Sequence, residues 1–127
     1  MYAVKIEDYF SGAHRLRNYH GKCEDLHGHN WKVEVLVISD TLDEGGMVLD
    51  FAILKASTRE VLETLDHKYL NELPDFLETN PSSENISRYI FDKLKPLLDN
   101  QKTTLKQVTV WESENACASY TEGSSHD

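Results

Sequence analysis

The sequence predicts a single α+β domain in which two helices cover one face of an antiparallel β-sheet. Apolar and polar residues alternate near both ends of the chain, whereas apolar residues recur at helical spacing in the middle. The predicted order is therefore two strands, two helices and two more strands, which is typical of α+β domains. We expect this domain to span residues 1–122, followed by a polar tail over residues 123–127.

The first two predicted strands lie in the N-terminal third of the chain. Tyr2, Val4 and Ile6 alternate with less apolar residues, which is the period-two pattern of a strand with one solvent-exposed face. A turn-rich loop follows over residues 18–25. Residues 31–38 then alternate apolar and charged side chains before the run becomes continuously apolar, so we predict the second strand there.

Two amphipathic helices are predicted in the middle of the chain. Asp50 is a good N-cap residue, and apolar residues at helical spacing follow it, so the first helix should cover residues 51–65. The second helix should open near Asn80, Pro81 and Ser82, where a capping residue and a proline suited to a first helical turn precede another apolar stripe. Pro96 is expected to kink or end this helix.

The last two strands are predicted close to the C-terminal end. Val108 and Val110 alternate with polar residues, and the alternation resumes over residues 116–120 after a tight turn at Glu114 and Asn115. Both helices can then pack on one face of the sheet that these strands form.

The composition indicates an acidic protein that neither spans a membrane nor binds nucleic acid. The 127 residues include 13 basic and 22 acidic side chains, a formal net charge of −9, whereas nucleic-acid-binding proteins carry a basic surface. No apolar run approaches the roughly 20 residues of a transmembrane helix, and the N-terminus has no secretory signal. Cys23 and Cys117 are too few for a disulfide framework, so we expect a cytoplasmic location.

A group of three histidines predicts a metal centre. His27 and His29 are two residues apart, so in a strand both side chains point to one face, and Gly28 leaves the backbone between them uncrowded. His14 supplies a third nitrogen if the first two strands pair. Three histidines with an open fourth position suit catalytic zinc, although iron or nickel fits the same ligands. Cys23 is either a fourth ligand of a closed structural site or a thiol that acts beside the metal.

Asp66 and His67 are candidates for a proton relay, because a carboxylate beside an imidazole can transfer protons near pH 7. Adjacent residues of a helix do not face each other, so the pair requires that the helix has already ended. Otherwise His67 is a helix C-terminal residue that interacts with the helix dipole.

Glu112 is a candidate substrate anchor. It is predicted to lie within a strand, on the inward face that Val108 and Val110 share. A carboxylate there could accept two parallel hydrogen bonds from an amino group and a neighbouring ring N–H of a guanidine-like heterocycle. The alternative is a carboxylate that lies in water at the sheet rim.

Six ordered motifs resemble the 6-pyruvoyl-tetrahydropterin synthase and 6-carboxy-tetrahydropterin synthase family. The resemblance covers nearly the whole chain before the tail. Two positions depart from the usual family pattern, since Gly12 replaces an alanine and Ser82 replaces a threonine. The matching motifs are Phe10 to His14, Cys23 to His29, Met47 to Phe51, Leu65 to Asn71, Pro81 to Asn85 and Val108 to Glu112.

The resemblance implies the tunnelling fold (T-fold), in which such subunits form barrels and two trimers stack into a homohexamer with active sites between subunits. By position, it implies that His14, His27 and His29 bind Zn²⁺ and that Glu112 anchors the pterin ring. It also implies that Cys23 transfers protons with the help of Asp66 and His67, which in this family can come from a neighbouring subunit.

The implied reaction converts 7,8-dihydroneopterin triphosphate to 6-carboxy-tetrahydropterin, releasing acetaldehyde and triphosphate, early in queuosine biosynthesis. The short chain favours this bacterial branch. Because Glu24 follows Cys23, an alternative product is 6-hydroxymethyl-dihydropterin for folate synthesis. A pterin-binding protein without turnover is a further alternative.

The acidic net charge is unfavourable for a triphosphate substrate, so basic residues should gather around the site. We expect a local positive rim from Arg15, Arg17, Lys22 or Lys68.

Overall fold

A five-stranded sheet with two packed helices makes up the computed structural model, which describes residues 1–18 and 24–122. Along the sheet the strands follow the order β3-β1-β2-β4-β5. The predicted α+β class is confirmed. In chain order the elements are β1 (Tyr2–His14), β2 (His27–Ser39), α1 (Phe51–Leu62), β3 (Lys68–Tyr69), α2 (Ser83–Leu98), β4 (Thr104–Trp111) and β5 (Cys117–Tyr120).

The first two strands form a long antiparallel ladder. Both reach further than the alternation predicts, β1 to His14 and β2 back to His27. His14 lies opposite His27, and Gly12 lies opposite His29. Directly opposed residues point to the same face of a sheet, so the end of this ladder gathers all three histidines on the face that carries buried Trp31.

The core lies between that face of the sheet and the two helices. Buried apolar side chains from β1, β2 and β4 form one cluster with those of α1 and α2. Leu54 of α1 and Ile86 of α2 are fully buried in this cluster, consistent with the apolar stripes that predicted both helices. Within residues 1–18 and 24–122, no helix combines the length and apolarity needed to cross a membrane.

The helix boundaries differ from the predicted ones. Helix α1 ends at Leu62 instead of Leu65, and the turns that follow bring the chain to His67 with a positive φ of 58°. In α2 the cap is Ser82, whose side chain accepts from the N–H of Asn85, so Pro81 precedes the cap. Pro96 does not end the helix, which runs on to Leu98.

Pro96 is tolerated because of where it lies. A proline at this position leaves the carbonyl of Asp92 without its helical hydrogen bond, but Asp92 is exposed and that carbonyl can bind water. Only the final two residues of α2 follow Pro96, so little helix remains to be disturbed.

The second half of the chain contains one strand that the alternation does not predict, at the edge of the sheet beside β1. The two-residue strand β3 pairs in parallel with β1, with Lys68 opposite Gly12 and Tyr69 opposite Ala13. Two residues are too few to show the alternation of apolar and polar side chains that predicts a strand. At the other side, β4 ends at Trp111, so Glu112 follows the strand instead of lying within it, and its N–H donates to the carbonyl of Ala116.

Candidate active site

Four side chains converge at the end of the β1–β2 ladder. His14 is the last residue of β1, His27 opens β2, His29 follows it on the same face, and Glu112 comes directly after β4. One ligand atom from each lies within 4.8 Å of the others. The structure therefore brings the three histidines proposed as metal ligands together and adds Glu112 to them.

Two of the histidines are oriented by backbone carbonyls. The Nδ1 atom of His14 is 2.7 Å from the carbonyl oxygen of Pro81, and Nδ1 of His27 is 2.8 Å from that of Asp25. A carbonyl only accepts, so each Nδ1 carries a hydrogen, and in the neutral form of each ring the lone pair is on Nε2. The two Nε2 atoms lie 3.1 Å apart. Facing lone pairs at this distance repel each other unless a cation lies between them.

His29 and Glu112 complete this arrangement. Among residues 1–18 and 24–122, the buried Nε2 atom of His29 has no hydrogen-bond partner. It lies 3.3 Å from Oε1 of Glu112, which is also 3.3 Å from Nε2 of His14. Burial is the largest influence on the His29 pKa and lowers it, so the imidazole stays neutral at neutral pH despite the nearby carboxylate. Neutral imidazole nitrogens and a carboxylate oxygen suit a divalent metal ion such as zinc.

The buried Trp31 side chain packs against two of these histidines. Its ring packs edge-on against His14 and His29, with ring centroids 4.9 and 5.0 Å apart. The indole N–H donates to the carbonyl of Gly12 at 3.1 Å, which satisfies this buried donor. A Cβ at Gly12 would lie 3.2 Å from the Phe10 ring, so an alanine there requires a small shift of that ring.

Asp66 and His67 form the predicted carboxylate–imidazole pair, because α1 has ended before them. Oδ1 of Asp66 accepts from the backbone N–H of Ser11 at 2.9 Å and lies 3.1 Å from Nδ1 of His67. The Ser11 N–H is the main cause that lowers the Asp66 pKa, and the charges of His67 and Arg59 lower it further. The carboxylate is thus ionised and able to hold the His67 imidazole.

His67 faces an open depression instead of the protein interior. Its side chain is 81% exposed. The depression has a volume of about 490 Å³, and His29, Asn30 and Lys68 also line it. His67 and one of the clustered histidines therefore border the same concave surface.

The remaining candidate residues are Cys23, Lys22, Glu24, Arg15, Arg17 and Lys68. Cys23 and Lys22 lie outside the described residues. Glu24 is fixed by two hydrogen bonds to the backbone of Leu16, at 2.9 and 3.0 Å, and its Oε1 atom is 4.0 Å from Nε2 of His27. Arg15 has an exposed side chain, whereas its backbone is held by Asn71.

Arg17 has a structural role that was not expected from the sequence. Its guanidinium group donates to the carbonyls of Phe76, Leu77 and Thr79 at 2.5, 2.9 and 3.0 Å. These donors are engaged within the fold, so Arg17 holds the chain near residues 76–79, and its contribution to a positive rim stays a prediction. Lys68 is exposed at the depression, where a positive charge remains available.

Sequence reasoning missed the groups that orient the proposed metal ligands. The carbonyls of Pro81 and Asp25 are backbone atoms, which leave no residue-type signature. The sequence offered one signal for the Pro81 carbonyl. The motif from Pro81 to Asn85 is one of the six that resemble the family, but no role was assigned to it.

Comparisons with known proteins identify the family of this chain. The family model described as 6-pyruvoyl tetrahydropterin synthase matches residues 3–123. A Synechocystis protein named 6-carboxy-5,6,7,8-tetrahydropterin synthase is 41% identical over 100 residues, covering 75% of this chain and 76% of its own. A Bacillus subtilis protein of the same name is 32% identical over 119 residues, covering 88% of this chain and 80% of its own.

A solved structure supports the same relationship. The Caenorhabditis elegans 6-pyruvoyl tetrahydropterin synthase is 32% identical and superimposes with a TM-score of 0.81, covering 97% of this chain and 98% of that one. The expected T-fold subunit is therefore confirmed, and so is the family that the six motifs indicated. The chain belongs to the 6-pyruvoyl tetrahydropterin synthase family.

Proposed function

We propose that the protein is a zinc-dependent 6-carboxy-5,6,7,8-tetrahydropterin synthase. Its substrates are 7,8-dihydroneopterin triphosphate and one water molecule, and its products are 6-carboxy-tetrahydropterin, acetaldehyde and triphosphate. The observation that carries the proposal is the convergence of three imidazole nitrogens and one carboxylate at the end of the β1–β2 ladder. The names of the Synechocystis and Bacillus relatives favour the carboxy product over the pyruvoyl one.

His14, His27 and His29 would hold the metal ion through their Nε2 atoms. Bound there, zinc supplies Lewis-acid activation of the hydroxyl groups on the substrate side chain, which acidifies the neighbouring C–H. The free lone pairs of His14 and His27 support this assignment, because both rings are already turned with Nε2 toward the cluster.

Glu112 would anchor the pterin ring. Its carboxylate can accept from the 2-amino group and the adjacent ring N–H in parallel. Its side chain is 37% exposed, so a ligand can reach it without displacing the core. Since Oε1 is 3.3 Å from two ligand nitrogens, a ring held by Glu112 lies next to the metal position.

Cys23 and His67 would transfer the protons. Cys23 precedes the first motif histidine, His27, by four residues, and its thiolate is the group we assign to removing the acidified proton. His67 is oriented by Asp66 and faces solvent, so it can exchange a proton with the medium. Arg15, Lys22 and Lys68 are assigned to the triphosphate.

The active unit in this proposal is a homohexamer in the cytoplasm, with sites between subunits. His67 is exposed within its own subunit, which leaves it available to a neighbouring one. The reaction would serve queuosine and related deazapurine synthesis.

A second product has one observation in its favour. The carboxylate of Glu24 is fixed in place and lies 4.0 Å from Nε2 of His27, so a second potential base stands beside the proposed metal position. Release of 6-hydroxymethyl-dihydropterin for folate synthesis would use this residue.

Product identification tests the proposal. The zinc-loaded protein is incubated with 7,8-dihydroneopterin triphosphate, and the products are identified by mass spectrometry. We expect 6-carboxy-tetrahydropterin with acetaldehyde. Hydroxymethyl-dihydropterin that disappears in Glu24→Ala would assign the folate branch, whereas binding without turnover would leave a pterin-binding protein.

A further inference from the structure

The segment before helix α2 holds a motif whose role the proposed reaction does not include. Pro81 is buried, and its carbonyl is the partner of the His14 ring at 2.7 Å. The orientation of this one carbonyl therefore determines which ring nitrogen of His14 carries the hydrogen. If the carbonyl turned away, the buried Nδ1–H of His14 would lose its acceptor.

Asn85 restrains the chain on both sides of Pro81. Its side-chain amide donates from Nδ2 to the carbonyl of Asn80 at 2.9 Å, and its backbone N–H donates to Oγ of Ser82 at 3.2 Å. The proline ring fixes φ of Pro81, so little freedom is left between these two attachments. Asn85 thus limits the rotation of the Pro81 carbonyl.

Asn80 connects the same segment to the chain that follows His14. Its amide group pairs with the backbone of Arg17 twice, accepting from the N–H and donating to the carbonyl, both at 2.9 Å. The segment is therefore attached to α2 through Asn85 and to the end of β1 through Asn80.

We propose that Asn85 is a positioning residue for the metal centre, since it fixes the Pro81 carbonyl that directs Nε2 of His14 to the metal ion. This inference rests on the proposed function, because it requires that the histidine cluster binds a metal. It assigns a role to the motif from Pro81 to Asn85 that is separate from contact with the substrate.

The variant Asn85→Asp tests this role with little change in shape. A carboxylate cannot donate to the Asn80 carbonyl, yet an acidic residue in the first turn of a helix is favourable. Ser83→Asp is the matched control, because it adds the same charge to the same turn and leaves Asn85 unchanged. Both variants are prepared as the full chain, and metal is removed with a chelator.

Three measurements follow, namely Zn²⁺ affinity by competition with a chromophoric chelator, the absorption spectrum of the Co²⁺-loaded protein, and thermal unfolding without metal. We expect Asn85→Asp to weaken Zn²⁺ binding about tenfold, the lower end for residues that support metal ligands, and to alter the Co²⁺ spectrum. Ser83→Asp should resemble the wild type in all three, and both metal-free variants should unfold near the wild-type temperature.

An unchanged Zn²⁺ affinity in Asn85→Asp, or an equal loss in Ser83→Asp, overturns the inference. If Asn85→Asp does not fold, Asn85→Ser replaces it, since serine is too short to reach Asn80, and the same criteria apply. A wild-type protein that binds neither Zn²⁺ nor Co²⁺ overturns the proposed metal centre itself. Wild-type binding with an unaffected Asn85→Asp variant rejects only the positioning role.

Discussion

Replacing Asp66 with asparagine should keep its hydrogen bond to the Ser11 backbone and remove its charge beside His67. The variant therefore separates the structural role of Asp66 from its proposed catalytic role. Asparagine keeps an oxygen that can accept from the Ser11 N–H, so the 2.9 Å hydrogen bond survives. It removes the negative charge 3.1 Å from Nδ1 of His67. The imidazole then loses the carboxylate that orients it, while the backbone connection to β1 remains.

The expected magnitudes follow from these contacts. A hydrogen bond to a charged group contributes about 1.5–3 kcal/mol and a neutral one about 0.5–1.5 kcal/mol, so Asp66→Asn should lower the free energy of unfolding by only about 1 kcal/mol. Loss of an oriented acid–base group typically costs roughly 10²–10⁴-fold in rate, and we expect kcat to fall at least about 100-fold. Zn²⁺ affinity should not change.

Asp8→Asn is the matched control for this experiment. Asp8 lies 3.3 Å from the same Arg59 that approaches Asp66 at 3.4 Å, so its replacement removes an equal charge from this group without a change at His67. Steady-state kinetics and chemical denaturation are measured for both variants. A kcat for Asp66→Asn within threefold of wild type, or an equal loss in Asp8→Asn, would show that the pair does not act in catalysis.

The effect of Asp66→Asn on the free energy of unfolding should depend on pH. The Asp66 pKa is lowered from its ordinary value of 3.8 in the folded protein, chiefly by the Ser11 N–H, so ionised Asp66 stabilises the fold above that value. This stabilisation is lost as the pH falls through the folded-state pKa. The stability difference between wild type and Asp66→Asn should therefore be present at neutral pH and disappear on acidification below 3.8.

Three further variants test the assigned roles. Cys23→Ala should abolish turnover and keep Zn²⁺ affinity, and a large loss of affinity would instead make Cys23 a metal ligand. Glu112→Gln should raise KM at least about tenfold with Zn²⁺ affinity retained, because one of two parallel hydrogen bonds is lost; weakened zinc binding would identify Glu112 as the fourth ligand. Arg17→Ala should lower the free energy of unfolding by about 2–3 kcal/mol, since three carbonyls lose a charged donor, and leave KM unchanged in a substrate titration.

Local periodicity explains which parts of this fold could be predicted. The alternation in β2 and the apolar stripe of α2 are properties of neighbouring residues, and the structure has both elements. The pairing of His27 and His29 on one face follows from the same period of two. The position of His14 required in addition that β1 and β2 pair as far as His27, beyond the residues whose alternation predicted these strands.

Features that depend on distant contacts could not be predicted in the same way. Strand β3 has two residues and exists because Gly12 and Ala13 offer it a ladder. The contact between Asp66 and His67 depends on where α1 ends and on the N–H of Ser11, which is 55 residues away. The Pro81 carbonyl reaches His14 across 67 residues, and no local pattern encodes that approach.

Removal of the metal should leave the fold intact, because the core and not the ion sets the strand register. A shift of one residue in the β1–β2 pairing would turn Ile6 and Phe10 out of the core. The same shift would turn the His14 side chain to the face opposite His27. Exposing these two apolar side chains costs about 3–6 kcal/mol, whereas an ion present at 100 times its Kd stabilises the folded state by about 2.7 kcal/mol. We therefore expect the chelated protein to keep its circular dichroism spectrum and to unfold cooperatively at a moderately lower temperature. Global unfolding on chelation would mean that the histidine cluster is a closed structural site, and the proposed open catalytic position would be wrong.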